Sequence, residues 1–234
     1  MLSRALDLVL AALALLGPFA IHLFFPLIPV IKDDFRLTDA LAQLAFSIGV
    51  FGMALSTLAY GAFADRYGRR PVLLIGLSLF LLGSMIAALA GSFTLLLIGR
   101  LVQSIGAGCG ITLARAIARD VYGTERLIKA IAYLTMFFAI GGLLAPGFGG
   151  VLIDQFGWRS VFAFAGTAGL AIMLGAYFLV PETGAQNRSA IGSAILSGFL
   201  RLFRQPRFCA LVIHTGCTSG TFLIVATASS SLMK

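Results

Sequence analysis

Asp65, Arg66, Arg69 and Arg70 fall within six residues of one another, next to Gly61 and Gly68, between two long apolar runs, Leu41 to Ala64 and Val72 to Ala90. The chemistry such a cluster performs is the making and breaking of ion pairs. A guanidinium fork matches a carboxylate, and Asp120, later in the chain, is the acid that Arg69 or Arg70 can reach. A second set, His22, Arg100 and Gln103, lies inside apolar runs. An Arg within a membrane helix costs ~2.5–3.5 kcal/mol on insertion scales, so such a residue is a functional candidate by default. An imidazole titrates near neutral pH and can carry a proton. No nucleophile with a plausible base is visible, nor a phosphate-cradling loop. Cys109, Cys209 and Cys217 lack metal-ligand spacing and read as small buried apolar residues. The residues call for no cofactor and no enzymatic activity.

Membrane helices must position these groups. Hydrophobic residues make up 59% of the chain and charged residues 11%, against about a quarter charged in soluble domains. The apolar blocks approach the roughly 20 residues that span a bilayer as helix, and they lack the short alternating segments of barrel strands. Seven spans are expected, near Leu8–Ile31, Leu41–Ala64, Val72–Ala90, Phe93–Arg119, Ile128–Ile153, Trp158–Val180 and Phe208–Leu232. The first runs too long for the apolar core of a signal peptide and reads as an uncleaved helix. With the N-terminus inside, twelve Lys and Arg residues face the cytoplasm: Arg4, Arg66, Arg69, Arg70, Arg115, Arg119, Arg126, Lys129, Arg188, Arg201, Arg204 and Arg207. Four, Lys32, Arg36, Arg159 and Lys234, face outward. The positive-inside rule selects that orientation. It also accounts for the net charge of +8 without a nucleic-acid partner, since no basic patch is interleaved with aromatics.

Two loops repeat. Gly61-x-x-x-Asp65-x-x-Gly68-x-Arg70 reappears as Gly150-x-x-x-Asp154-x-x-Gly157-x-Arg159, offset by 89 at every matched position. One joins spans two and three and the other spans five and six, so they fall on opposite membrane faces, as inverted three-helix repeats require. Residues 1–181 therefore read as a six-helix transmembrane bundle. Residues 182–206 read as a cytoplasmic linker, and residues 207–234 as a seventh span opening a further bundle. Within the linker, Ile191, Ile195, Leu196, Phe199, Leu200 and Phe203 recur at helical spacing with Arg201 and Arg204 between them. That spacing describes an amphipathic helix on the membrane surface, the alternative being an irregular linker.

The charged loop, G-x-x-x-D-R-x-G-R-R, resembles the signature between the second and third helices of the major facilitator superfamily. There the cluster of Gly61, Asp65, Arg66, Gly68, Arg69 and Arg70, with Asp120, is expected to latch the two halves in the outward-facing state; the alternative is that these charges only fix topology. Arg100-x-x-Gln103 resembles the family's R-x-x-Q-G, with Ser104 in place of the last Gly, and the resemblance links Arg100 to proton coupling or substrate contact. The alternative is an Arg snorkelling outward, ~10 Å from the outer end of its span. Gly141, Gly142, Pro146, Gly149 and Gly150 in span five partly match the antiporter signature of drug/proton exchangers, with Ala132 and Ala145 where glycine is usual. The same residues also suit plain small-residue packing.

Span one, Gly17 to Pro29, resembles the bicyclomycin/chloramphenicol-resistance branch, P-x-x-x-D-x-Y-x-P-x-x-P. His22 takes the place of the proton-carrying Asp and Phe24 that of the Tyr. His22 is thus either a proton carrier or a neutral histidine bonded to a backbone carbonyl. Phe24 and Phe25 suit an apolar cavity. Pro181-Glu182-Thr183 at the end of span six is also similar to that branch.

The resemblance implies an all-α membrane protein of the facilitator fold in a bacterial inner membrane. It implies a carrier that exports small, mostly apolar drugs or metabolites in exchange for protons by alternating access. Its partners are a small-molecule substrate, protons, the lipid bilayer and a C-terminal six-helix half. The fold needs two halves, and this sequence holds one half and one further span. A fragment of a longer transporter, a truncated product that does not transport, a half-length protein that dimerises and an uptake carrier for another small solute are the readings this leaves open.

Overall fold

A computed structural model describes residues 2–184 and 204–232. They fall into two units, Met1–Gln186 and Asn187–Lys234. The amphipathic helix expected over 191–203 lies outside the described residues.

The first unit contains α1 (Leu2–His22), α2 (Leu27–Asp34), α3 (Asp39–Tyr67), α4 (Arg69–Ala88), α5 (Phe93–Ala107), α6 (Cys109–Phe156) and α7 (Arg159–Leu179). Six stretches are long and apolar enough to cross a membrane: Arg4–His22, Asp39–Tyr67, Arg69–Ala88, Phe93–Gly123, Arg126–Phe156 and Arg159–Leu179. They match the first six expected spans, with two differences. The single helix expected over Leu8–Ile31 is two. Pro26 has no N–H to continue the helical ladder, and Phe24, Phe25 and Leu27 instead bond to carbonyls three residues back, at 3.3, 3.2 and 3.0 Å. Further on, the loop expected between spans four and five shrinks to a kink in α6 at Gly123, with φ 62° and ψ −173°.

The second unit, described by itself, contains α8 (Pro206–Leu232), where the seventh span is expected. Proline suits its first turn, where no N–H is needed.

Polar side chains cap the helix starts at one end of the bundle. The Thr38 hydroxyl accepts from Leu41 N at 3.4 Å and Ser92 from Leu95 N at 3.3 Å. Glycine lets α4 and α5 approach backbone to backbone: a Cβ on Gly83, Gly99 or Gly106 would enter the facing main chain. This approach brings Gln103 beside Ser84.

The inverted repeat is visible in the backbone. Gly68 (φ 99°, ψ 154°) and Gly157 (φ 78°, ψ 168°) share one conformation, and each N–H bonds four residues back, to Ala64 O and Ile153 O. Both lie in a region nearly closed to residues with a Cβ. Their arginines are exchanged. Arg70, at the start of α4, donates to Tyr177 O near the end of α7 at 2.5 Å. Arg159, at the start of α7, donates to Ala90 O just past the end of α4 at 3.0 Å. Each guanidinium thus satisfies a helix-terminal carbonyl of the opposite repeat, and α4 and α7 run antiparallel.

Candidate functional site

The Gly68 turn gathers charge from four elements. Arg69, nearly buried, bonds Asp65 Oδ1 at 2.6 Å through Nη1 and Asp120 Oδ2 at 3.1 Å through Nε. Asp65 is one helical turn before it, and Asp120 lies in the first limb of α6. Arg69, not Arg70, is therefore the partner of Asp120. Thr183 donates to the same Asp120 oxygen at 3.3 Å.

Glu182 completes the arrangement. Its two oxygens accept the Arg69 and Arg70 backbone N–H groups at 2.8 and 3.3 Å, and Gly184 N adds 2.9 Å. The carboxylate caps α4 from outside the helix and meets the positive end of its dipole. This explains Gly68 twice: its φ is positive, and a Cβ there would come within 2.6 Å of the Glu182 carboxylate. Arg66 lies over the Tyr67 ring at 5.2 Å. Gly61 has open space around it.

Arg100 does not snorkel. It is 2% exposed, and Nη1 donates to Ala20 O and Gln103 Oε1, both at 2.9 Å. Gln103 passes the network on through Nε2 to Ser84 Oγ at 2.9 Å, and Ser84 donates to Phe80 O at 2.7 Å. The guanidinium stands 4.1 Å over the Phe24 ring. Phe24 therefore faces a cation, not an open apolar cavity. Among the described residues, Arg100 Nε and Nη2 and the Ser104 hydroxyl have no hydrogen-bond partner. Nη2 and Ser104 face Gly49, where a Cβ would come within 2.7 Å of the guanidinium.

His22 is turned another way. Nδ1 donates to Pro18 O at 2.8 Å, so in the neutral ring Nε2 keeps its lone pair. The ring meets Phe25 edge-on at 5.4 Å, and Phe25 stacks on Phe46 at 5.0 Å. The imidazole looks onto Gly142. The neighbouring glycines receive α1: Gly141 lies under Leu15, Pro18 and Phe19, and Gly149 under Leu23 and Pro26. Pro146 is partly buried in the same helix, while a Cβ on Gly150 would meet open space. His22 and the small-residue stretch are brought together. His22, about nine residues or ~13 Å from the outer end expected for span one and so close in depth to Arg100, serves a different helix contact.

The family model described as Major Facilitator Superfamily matches residues 10–233. The chain belongs to the major facilitator superfamily. Multidrug resistance protein MdtL of Escherichia coli (strain SMS-3-5 / SECEC) is 37% identical over 172 residues, covering 74% of this chain and 44% of that protein. The same protein of Escherichia fergusonii gives the same figures. The chain thus spans under half the length of these relatives. Among solved facilitator structures, the human organic anion transporter MFSD10 (TETRAN) aligns with a TM-score of 0.62 at 25% identity, covering 81% of this chain and 50% of that one. A bacterial homologue of the human lysosomal transporter Spinster, inward-facing and unoccupied, aligns at 0.70 and 23%, covering 87% and 48%.

Sequence reasoning missed two contacts of this facilitator bundle. Glu182 opened the expected linker, yet it caps α4; its place beside Pro181 and Thr183 was the available signal. Asp7, in the first turns of α1, accepts a hydrogen bond from the Tyr122 hydroxyl. An acid inside a membrane span is a signal in itself, but nothing in the pattern names its partner 115 residues away.

Proposed function

We propose that this chain supplies the first bundle of a multidrug exporter that exchanges small, mostly apolar compounds for protons. The Gly68 turn carries this reading. Its ion pairs and cap join the ends of the second, third, fourth and sixth spans, so these ends move together, and its bonds are of a kind that water and a partner helix can exchange. The likeness to the multidrug resistance protein MdtL supports drugs as substrates, and the Lys and Arg distribution supports a cytoplasmic Gly68 end. Alternating access needs two bundles around one site, so transport is an activity of the carrier that contains both.

Each polar group has a role. Asp65, Arg69, Asp120 and Glu182 hold the cytoplasmic end in one state and release it in the other. Arg100 is a fixed cation whose bond to Ala20 O ties α1 to α5. His22 takes up the coupling proton at Nε2 while Nδ1 stays on Pro18. The small-residue face under α1 lets that helix shift against the fifth span.

The test is drug efflux driven by an imposed pH gradient, in vesicles holding the complete carrier. His22→Ala is expected to abolish gradient-driven efflux while drug binding persists, and His22→Asp to keep coupling with its pH dependence moved lower. Unchanged efflux in His22→Ala would remove the proton role. Absence of any drug flux from the unmodified carrier would remove the exporter reading.

A further inference from the structure

A cleft of about 370 Å³ opens beside the Gly68 turn, lined by Asp65, Arg69, Thr112, Arg115, Arg119 and Ile131, together with Gly61, Ala116 and Leu127. Its charge is one-sided. Asp65 and Arg69 neutralise each other at 2.6 Å. Arg115 is exposed and in no ion pair among the described residues. Arg119 is 63% exposed and touches only the far oxygen of Asp120, at 3.8 Å, an acid already shared by Arg69 and Thr183. Asp65 is the sole acid of the lining; with Asp120 counted beside it, three guanidinium groups meet two carboxylates and one positive charge is left over.

The spacing sharpens this. Thr112, Arg115 and Arg119 stand at i, i+3 and i+7 on the first limb of α6 and form one stripe. Like charges one turn apart repel, so the stripe gains from an anion between them. Guanidinium forks and a hydroxyl are the donors that match the oxygens of a phosphate or carboxylate. The opposite wall, Leu127 and Ile131, is an i, i+4 apolar pair at the start of the fifth span. Basic donors facing an apolar wall at a span end match an anionic group at the membrane surface.

We infer that this cleft binds an oxyanion, a phosphate or carboxylate group, between Arg115, Arg119 and Thr112. A phospholipid headgroup and a soluble anion present the same chemistry, and the site stands whether or not the chain takes part in transport.

The experiment uses the purified 234-residue chain. In detergent, inorganic phosphate is expected to raise the thermal midpoint saturably, above chloride at equal ionic strength. In nanodiscs of mixed phosphatidylglycerol and phosphatidylcholine, native mass spectrometry is expected to show phosphatidylglycerol retained. Arg115→Gln and Arg119→Gln should each weaken binding by about tenfold or more, the scale of one charge-assisted bond. Both side chains are exposed, so the fold should survive. Arg4→Gln, an equal loss of charge at an exposed site elsewhere, should change nothing. Retention of phosphatidylglycerol without a phosphate effect supports the headgroup as source, and a phosphate effect without retention supports a soluble anion. Absence of both, or an equal loss in Arg4→Gln, would overturn the site.

Discussion

The turns at Gly68 and Gly157 have the same backbone and opposite electrostatics. In the second turn the position equivalent to Arg69 holds Trp158, whose indole donates to Asp34 Oδ2 at 2.9 Å and packs edge-on against Phe35 at 5.8 Å. Asp154, equivalent to Asp65, is exposed and has no ion pair among the described residues. Arg159 stands 4.2 Å over the Trp158 ring. Duplicated geometry thus carries an ion-pair network at one end and an aromatic plug at the other. The shared part, glycine and exchanged arginine, is what the fold needs. The unshared part is where function is to be sought.

The largest expected effect follows from that division. In a complete carrier, Asp65→Asn should strongly impair efflux while leaving insertion intact, and Asp154→Asn should leave efflux near its starting rate. Equal losses at the two sites would erase the functional distinction. The pairing itself is tested by charge exchange. Arg69→Asp with Asp120→Arg should recover more activity than either single change, and additive losses in that cycle would dissolve the pair.

Next come the glycines. Gly68→Ala and Gly157→Ala both force a side chain into a glycine region, about 1–3 kcal/mol each. Gly68→Ala also drives a Cβ into the Glu182 carboxylate, whereas Gly157 has open space around it. Thermal unfolding of the chain in detergent should therefore show the larger drop for Gly68→Ala, and the same drop for both would mean that Glu182 yields freely. A smaller effect is expected from Glu182→Gln, about 0.3–1 kcal/mol for the lost charge at the helix start. It should appear as faster hydrogen exchange at the Arg69 and Arg70 amides, with no change at Ser160 or Val161 in the other turn.

The smallest lies at the Gly157 end. The hydrogen bond to Asp39, at 2.6 Å, holds the Lys32 ammonium above its ordinary 10.5. A raised pKa stabilises below the unfolded value, so this contribution is complete below pH 10.5 and fades as pH rises past the folded value. Lys32→Gln should lower the midpoint slightly at neutral pH and not at all in strong alkali.

Much of this was legible beforehand. The spans were, because apolar runs near bilayer length mark them, the fold followed from the resemblance carried by the Gly61–Arg70 loop, and the 89-residue offset placed the second turn. The break in the first span was written in Pro26, yet apolar length alone read through it. The direction of His22 was not legible: Arg100 and His22 agree in depth, but rotation about α1 decides which neighbour each meets. Glu182 eluded the pattern because its partners are backbone amides 112 and 113 residues away, which no side-chain spacing records.

The exchanged arginines also set a schedule for synthesis. Arg70 reaches its carbonyl across 107 residues. At ribosomal rates of about 5–20 residues per second, that acceptor is made roughly 5–20 s after the arginine. Through that interval the first three spans sit in the bilayer with an unclasped cation and an uncapped helix start at the Gly68 turn. Until α7 emerges they are held by the insertion machinery, or by Asp65, the headgroups and, once it is made, Asp120. The birth of the sixth span then closes both ends of the bundle in one event, so arrest of translation before residue 177 should leave a nascent chain far more open to proteolysis at the Gly68 turn than arrest after residue 184.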